Sequence, residues 1–294
     1  MTGLNLFTSI LKKILMVVRV FGGLGNQLFQ YAFGQYLKSQ SGLSIKYDFE
    51  YFENNKFRPP NIKKFDFEIL ESKTEISKKH IKFKSFRINN FYNKIFSANT
   101  FHCDPLKDNH KINPNDYYHG YWQNKKFSLS IIDSLKVNFN IKTPSSTLQK
   151  YLEGIEKINN TVSIHIRRTD YLLKKNSAIF SQLDKEYFLS AIDKLEDLLE
   201  EKSLHFFVFS DDIAWAKSVF SERNNINFIE GLEDFEDLYL MTKCNHHVLS
   251  NSTFSWWGAV LNKREDKKVI CPKDWFNGDK KRMNDLILEE WILC

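Results

Sequence analysis

The strongest constraint on this chain is an alternation in its second half. Short runs of apolar, β-branched and aromatic residues predict strands at Val162–Arg167, Leu204–Phe209, Asn227–Ile229, His247–Ser250 and Val269–Cys271. Helical periodicity lies between them. Tyr187, Phe188, Ala191, Ile192, Leu195, Leu198 and Leu199 form one apolar stripe, with Asp184 placed as its N-cap. Further helical patterns run from Asp234 to Lys243 and from Thr253 to Leu261. Strand and helix in regular alternation imply a parallel sheet covered by helices, a Rossmann-like domain.

The first half opens in the same way. Leu15–Phe21 reads as a strand, Gly22-Gly23-Leu24-Gly25 as a turn, and Leu28, Phe29, Ala32, Phe33, Tyr36 and Leu37 as the buried face of a helix that Gly42 ends. Leu43–Asp48 is the next strand, and from Phe49 to Pro114 the pattern blurs. Turn chemistry at Asn113–Tyr118 and Thr143–Ser146 places the inter-domain linker near Lys142–Gly154. The expected architecture is two α/β domains facing each other across a cleft, residues 1–150 and 151–294. A chain of 294 residues allows this, at about 150 residues per domain. Its composition, 42% hydrophobic and 27% charged, excludes disorder, collagen and coiled coil.

Cys103, Cys244, Cys271 and Cys294 are too scattered for a disulfide framework and read as reduced thiols of a cytoplasmic protein. No apolar stretch approaches the ~20 residues of a membrane span, and Lys12, Lys13 and Arg19 interrupt the apolar start too often for a signal peptide. The expected location is therefore the cytoplasm or a membrane surface. The net charge of +6 is concentrated. No acid lies between Glu75 and Asp104, where Lys78, Lys79, Lys82, Lys84, Arg87 and Lys94 alternate with Phe83, Phe86, Phe91, Tyr92 and Phe96. Such a segment suits anionic lipid, or is simply a solvated helix. Nucleic acid ranks last, because no nucleic-acid-binding signature accompanies it.

Three motifs carry chemistry. Gly22 to Gln27 joins strand to helix, where glycines admit a ligand and a helix N-terminus favours an anion. It half-matches a dinucleotide fingerprint, with Asp48 as ribose acid, but Leu28 replaces the third glycine. His165-Ile166-Arg167-Arg168-Thr169-Asp170 ends a strand at the edge where α/β domains bind ligands, and arginine there suits a phosphate. Asp170 is placed to orient a guanidinium, and strand alternation lets only one arginine face the ligand. Ser250 to Ala259 again joins strand to helix, with hydroxyls that either cap the helix or donate to phosphate, and Trp256 and Trp257 as core. After another strand, Asp211 and Asp212 either accept from a base or cap the next helix. Cys244, His246 and His247 lack zinc spacing, so no metal site is expected.

GGLGNQLFQYAFG near the start, GYWQNKKF at Gly120–Phe127, HIRRTDY at His165–Tyr171, FVFSDD at Phe207–Asp212, EDLYLMTKC at Glu236–Cys244 and SNSTFSWWGA together resemble the bacterial α-1,2-fucosyltransferases. The resemblance runs from Val17 to Phe276; residues before Met16 read as an early-start product or a short amphipathic appendage. It implies a GT-B-like pair of Rossmann-like domains, the first on the acceptor side and the second binding GDP-fucose. It also implies inverting transfer to the 2-hydroxyl of a terminal galactose, with GDP-fucose a co-substrate and no cofactor or metal. Residue by residue, it implies Arg167 and Arg168 as the catalytic residues, Arg167 on the donor pyrophosphate, with His165 near the nucleotide and one of Asp211 and Asp212 on the guanine. Ser252, Thr253 and Ser255 would approach phosphate, with Gly23, Gly25, Asn26 and Gln27 across the cleft. Thr169 stands where many members have glycine. Asp48, Glu50 and Glu53 are candidates for the base. The expected acceptor is a galactose-terminated, lipid-linked glycan at the inner face of the plasma membrane. The rival readings are a catalytically silent sugar-nucleotide or glycan-binding protein of the same fold, and an NAD-dependent oxidoreductase.

Overall fold

Among the described residues, two wholly parallel sheets organise the chain, one in each of two units. The computed structural model describes residues 15–55, 58–72, 81–83, 85–96, 101–106, 110–169, 179–200 and 203–294. Asp170, Lys78, Lys79 and Lys84 therefore lie outside the described residues.

The first unit comprises Met1–Pro60 and Glu68–Ile131. Its sheet holds β1 (Leu15–Arg19), β2 (Ser44–Asp48), β3 (Phe101–Cys103) and β4 (Tyr117–His119) in the order β2-β1-β4-β3. Parallel neighbours need a crossover, which α1 (Leu24–Ser41) supplies between β1 and β2. Leu28, Phe29, Ala32, Phe33 and Leu37 are its buried face, as their spacing requires, and Gly42 ends it in the left-handed region at φ 67°. The turn chemistry at Asn113–Tyr118 belongs only to its first half. Asn115 makes the turn at φ 68°, whereas Tyr117 and Tyr118 are fully buried in β4 at the centre of the sheet. A strand of three residues is too short to announce itself by periodicity.

Two short helices, α2 (Glu50–Glu53) and α4 (Lys125–Leu129), flank α3 (Phe86–Phe96) in the stretch that the sequence left blurred or read as basic. α3 is turned against its composition. Asn89 and Asn93 point inward, with Asn89 Oδ1 accepting from the backbone of Lys82 (2.7 Å) and Asn93 donating to the carbonyl of Asn89 (2.9 Å). Phe91 and Phe96 are 68% and 69% exposed, with Ile88 and Ile95 beside them.

The second unit comprises Asn61–Phe67 and Ile132–Cys294. The linker expected near Lys142–Gly154 is largely a helix, because Ser145 caps α6 (Ser146–Ile155) by accepting from Leu148 N–H. The chain instead enters the unit with α5 (Ile132–Asn138), earlier than the expected boundary at residue 150. Asn61–Phe67 is an excursion into the same unit: Phe65 is fully buried, bridges to Ile141 and stacks on Phe139 at 4.3 Å.

Six strands follow, β5 (Thr161–Ile166), β6 (His205–Ser210), β7 (Ile226–Phe228), β8 (His246–Val248), β9 (Val269–Cys271) and β10 (Ile292–Leu293), in the order β10-β9-β8-β5-β6-β7. Between them lie α7 (Lys185–Leu199), α8 (Ile213–Val219), α9 (Asp234–Met241), α10 (Thr253–Val260) and α11 (Lys280–Leu286). All six residues of β5 are buried, as a strand covered on both faces must be. Asp184 caps α7 through Tyr187 N–H, and Phe188, Ala191, Ile192 and Leu195 pack against Val162, Ile164, Phe206 and Val208.

Candidate active site

Strand order reverses between β5 and β8: from β5 the chain builds outward through β6 and β7, then returns to β8 and builds the other way. The crevice outside the carboxyl ends at such a reversal is where open α/β sheets hold ligands, because the loops diverge there and leave room. The residues at this point are those of the second and third motifs.

β5 ends one residue before Arg167, so the arginine has left the ladder when its side chain is aimed. Asp211, just beyond β6, aims it: Arg167 Nη1 lies 3.1 Å from Asp211 Oδ2. The same carboxylate accepts from Arg168 N–H (2.9 Å) and from the Thr169 hydroxyl (2.6 Å), fixing the turn that carries Arg167. The Thr169 hydroxyl is thus a working contact of this turn. Arg168 turns elsewhere. Its guanidinium sits 4.4 Å over the Trp215 ring and pairs with Asp212 at 3.4 Å. Asp212 also caps α8 through Trp215 N–H, which is the capping role left open by the sequence.

His165 precedes Arg167 by two residues, and its Nδ1 lies 2.8 Å from the Ser250 hydroxyl beyond β8. Its ring also meets Phe254 in the first turn of α10, at 5.1 Å between centroids. These contacts tie the carboxyl ends of β5 and β8 to the start of α10. Burial, with Arg167 adding to it, pushes His165 down to about 3, so it is a neutral hydrogen-bonding group at ordinary pH.

Ser252 is the N-cap of α10 and accepts from Phe254 N–H at 3.3 Å. Thr253 is half-buried at the first helical position. Ser255 is fully buried and donates inward to the carbonyls of Ser250 and Ser252, so its hydroxyl shapes the turn instead of presenting itself at the surface. Trp256 and Trp257 are core, and Trp256 Nε1 donates to Leu286 O at 2.8 Å. Among the described residues of this unit, no three metal-ligating side chains converge.

In the first unit, the glycine turn leads into α1 with Gly23 as N-cap and Gly22 at φ 81°. Gln27 is buried and ties the turn down by donating to the carbonyls of Gly22 and Pro59, both at 3.0 Å. Gly25 is buried, and Asn26 is half-buried and accepts from Gln123 at 2.9 Å. Sequence reasoning missed Arg58. A Cβ on Gly23 would lie 2.8 Å from its Nη1, so the missing side chain leaves the guanidinium room against the turn. No periodicity marks that stretch, so no local signal could have found it.

Asp48 is buried with both oxygens engaged. Oδ1 accepts from Glu50 N–H at 2.9 Å, and Oδ2 takes a short hydrogen bond from the Tyr117 hydroxyl. Both bonds fix the carboxylate at the end of β2. Glu50 and Glu53, the other two candidates, sit half-buried and exposed on α2.

The description "Glycosyl transferase family 11" matches residues 5–294, a longer span than the Val17–Phe276 expected, and it takes in most of the residues before Met16. An α-1,2-colitosyltransferase of Escherichia coli is 31% identical over 95% of this chain and 98% of its own length. The O-antigen biosynthesis glycosyltransferase WbnK of Escherichia coli is 31% identical over 92% and 97%. The mouse galactoside 2-α-L-fucosyltransferase Sec1 matches at 32% over 38% of this chain and 33% of its own. Among solved structures, the α-1,6-fucosyltransferase NodZ soaked with GDP-fucose superposes with a TM-score of 0.55 at 13% identity, over 85% of this chain and 93% of NodZ. A variant of Arabidopsis thaliana FUT1 in complex with GDP gives 0.51 at 12%, over 91% and 74%. These likenesses agree with the fold, α/β and GT-B-like.

Proposed function

The chain belongs to glycosyl transferase family 11, and on that premise we propose that it is an inverting galactoside α-1,2-fucosyltransferase with GDP-β-L-fucose as donor. The family retires the oxidoreductase reading. The observation that carries the proposal is Arg167, held by Asp211 at the strand reversal beside the start of α10. In the reaction the galactose 2-hydroxyl attacks the fucose anomeric carbon on the face opposite the diphosphate. The carbon–oxygen bond to GDP breaks, its electron pair leaves with GDP, and the configuration inverts. Arg167 and the first N–H groups of α10 supply positive charge where negative charge develops. No step then requires a divalent cation or cofactor. Glu50 and Glu53 remain candidates to receive the acceptor proton.

The acceptor of this reading is a lipid-linked glycan. Its surroundings would suit α3, whose outward Phe91, Ile95 and Phe96 lie in the acid-free basic stretch and fit the boundary of an anionic membrane. Among the described residues, no helix is long and apolar enough to cross a membrane.

Formation of a fucosylated product and GDP from GDP-fucose and a β-galactoside, with a thermal-shift panel of GDP, GDP-fucose, UDP-sugars and NAD, tests the proposal. Stabilisation by GDP and GDP-fucose alone, with turnover that EDTA leaves unchanged and added Mg²⁺ or Mn²⁺ does not raise, is expected. Stabilisation without turnover would establish the silent binder instead. The colitosyltransferase relative favours one second reading, with colitose as the sugar moved. Comparing kcat/KM for GDP-fucose and GDP-colitose decides between them.

A further inference from the structure

Strand β3 is the outer strand of the first sheet, three residues long and paired only with β4 among the described residues. Its middle residue, His102, stands in register with Tyr118. Asp116 immediately precedes β4, and the loop between the strands brings back His110. The nitrogen and oxygen atoms that these three side chains offer all lie within 4.8 Å of one another.

The electrostatics of the cluster are incomplete. Asp116 is fully buried. Its Oδ2 accepts from Asn113 N–H (2.9 Å) and from the Tyr118 hydroxyl (3.2 Å), but its Oδ1 makes no hydrogen bond. His102 Nε2 is likewise buried without a hydrogen bond, although it lies 3.2 Å from that Oδ1. The two atoms approach each other without the alignment in which one donates to the other. A separation of about 3.3 Å is the edge of a tetrahedron whose ligands stand about 2.0–2.1 Å from its centre, the usual zinc–imidazole and zinc–carboxylate distance. His110 Nε2 completes the group from 4.0 Å to Asp116 Oδ2; its present partner is the Tyr118 hydroxyl at 2.9 Å, a hydrogen bond it would give up to ligate an ion. The Tyr118 hydroxyl, donating to Asp116 Oδ2, orients the carboxylate from outside the ligand set, as outer groups do at metal centres. A buried carboxylate with one oxygen unsatisfied is costly, and a cation bound there would satisfy it.

We propose that His102, His110 and Asp116 form a site for Zn²⁺ or a similar borderline transition-metal ion, with water as fourth ligand, that pins β3 to β4. Two imidazoles and one carboxylate suit zinc; Mg²⁺ and Ca²⁺ prefer all-oxygen sets. The role is structural. The three side chains come from the β3–β4 edge of the first unit, and the transfer step proposed above assigns them no role.

Isothermal titration of the full chain with ZnCl₂ after chelator treatment, paired with thermal melts, tests this. One Zn²⁺ per chain and a higher Tm with zinc are expected, with no response to Mg²⁺. His102→Gln and His110→Gln should each weaken binding at least tenfold and remove the zinc-dependent rise in Tm. His205→Gln, away from the cluster, should change neither. Asp116→Asn is less informative, because Oδ2 also secures Asn113 and Tyr118 and the variant is prone to misfold. Absence of saturable zinc binding would overturn the proposal. Undiminished binding in the His102→Gln/His110→Gln double variant would overturn it equally.

Discussion

Replacing Arg167 by alanine removes a cation that the fold places at the strand reversal and braces with the Asp211 carboxylate. Two effects must be separated. The first is on stability. The side chains of Arg167 and Asp211 are 26% and 19% exposed, and Asp211 keeps Arg168 N–H and the Thr169 hydroxyl after the substitution. Solvent screening then holds the loss from the broken pair to about 0–1 kcal/mol, a Tm change of a few degrees at most. The second effect is on the transition state. The diphosphate of the bound donor is already anionic and gains a further negative charge as the sugar–oxygen bond breaks, so a cation aimed at it acts on KM and, through the added charge, on kcat. Loss of one such donor costs ~3–4 kcal/mol, or ~10²–10³ in kcat. Arg167→Lys keeps the charge without the planar fork and should recover only part of that loss. Arg168→Ala is the internal control. Its guanidinium is committed to Trp215 and Asp212, so kcat should stay within about threefold while Tm falls slightly. The measurement is kcat and KM for GDP-fucose in each variant, with a thermal melt to establish folding. A folded Arg167→Ala enzyme within threefold of the parent in kcat would remove Arg167 from the mechanism. An equal loss in Arg168→Ala would show that both arginines reach the phosphates and that the contact with Trp215 is given up on binding.

The remaining predictions concern pH, packing and the membrane. Burial holds His119, His165 and His247 down to about 3, so below the unfolded value near 6.5 the unfolded chain takes up protons that the native chain refuses, and stability falls as pH drops. Each should contribute about 1 kcal/mol of loss between pH 7.5 and 5.5, read from urea midpoints; an unchanged midpoint contradicts neutral burial. In α1, a Cβ on Gly34 would lie 2.5 Å from the Tyr47 hydroxyl, which is fixed by Gln35 and by the carbonyl of Tyr31. Gly34→Ala should therefore cost roughly 1–3 kcal/mol and lower Tm by several degrees, and an unshifted melt would mean that α1 can slide on β2. Ile88→Ser with Phe91→Ser and Ile95→Ser should cut sedimentation with anionic vesicles at least fivefold at unchanged Tm, and high salt should weaken the parent's binding. Equal sedimentation of parent and variant would dismiss α3 as the contact.

The sequence by itself determined what depends on neighbours along the chain. Apolar period, glycine and cap residues located β1, α1 and five of the six described strands of the second sheet to within a residue or two, including Asp184 as the cap of α7, and missed the two-residue β10. They also set Arg167 at a strand's carboxyl end, because strand register and the turn after it are local matters. What the sequence could not hold is which distant groups meet. Asp211 reads as a base acceptor or a cap until β6 pairs with β5 in register and delivers its carboxylate to Arg167. Asn61–Phe67 reads as part of the first half until Phe65 stacks on Phe139. The three residues of β4 are too few for a periodic signature, and the apolar stripe Ile88, Phe91 and Ile95 of α3 is helically spaced but faces outward, a direction that periodicity does not give. The same holds for His102, His110 and Asp116, whose spacing matches no metal motif. Their convergence exists only because β3 and β4 lie side by side, and pairing between strands is decided by the free energy of the whole sheet.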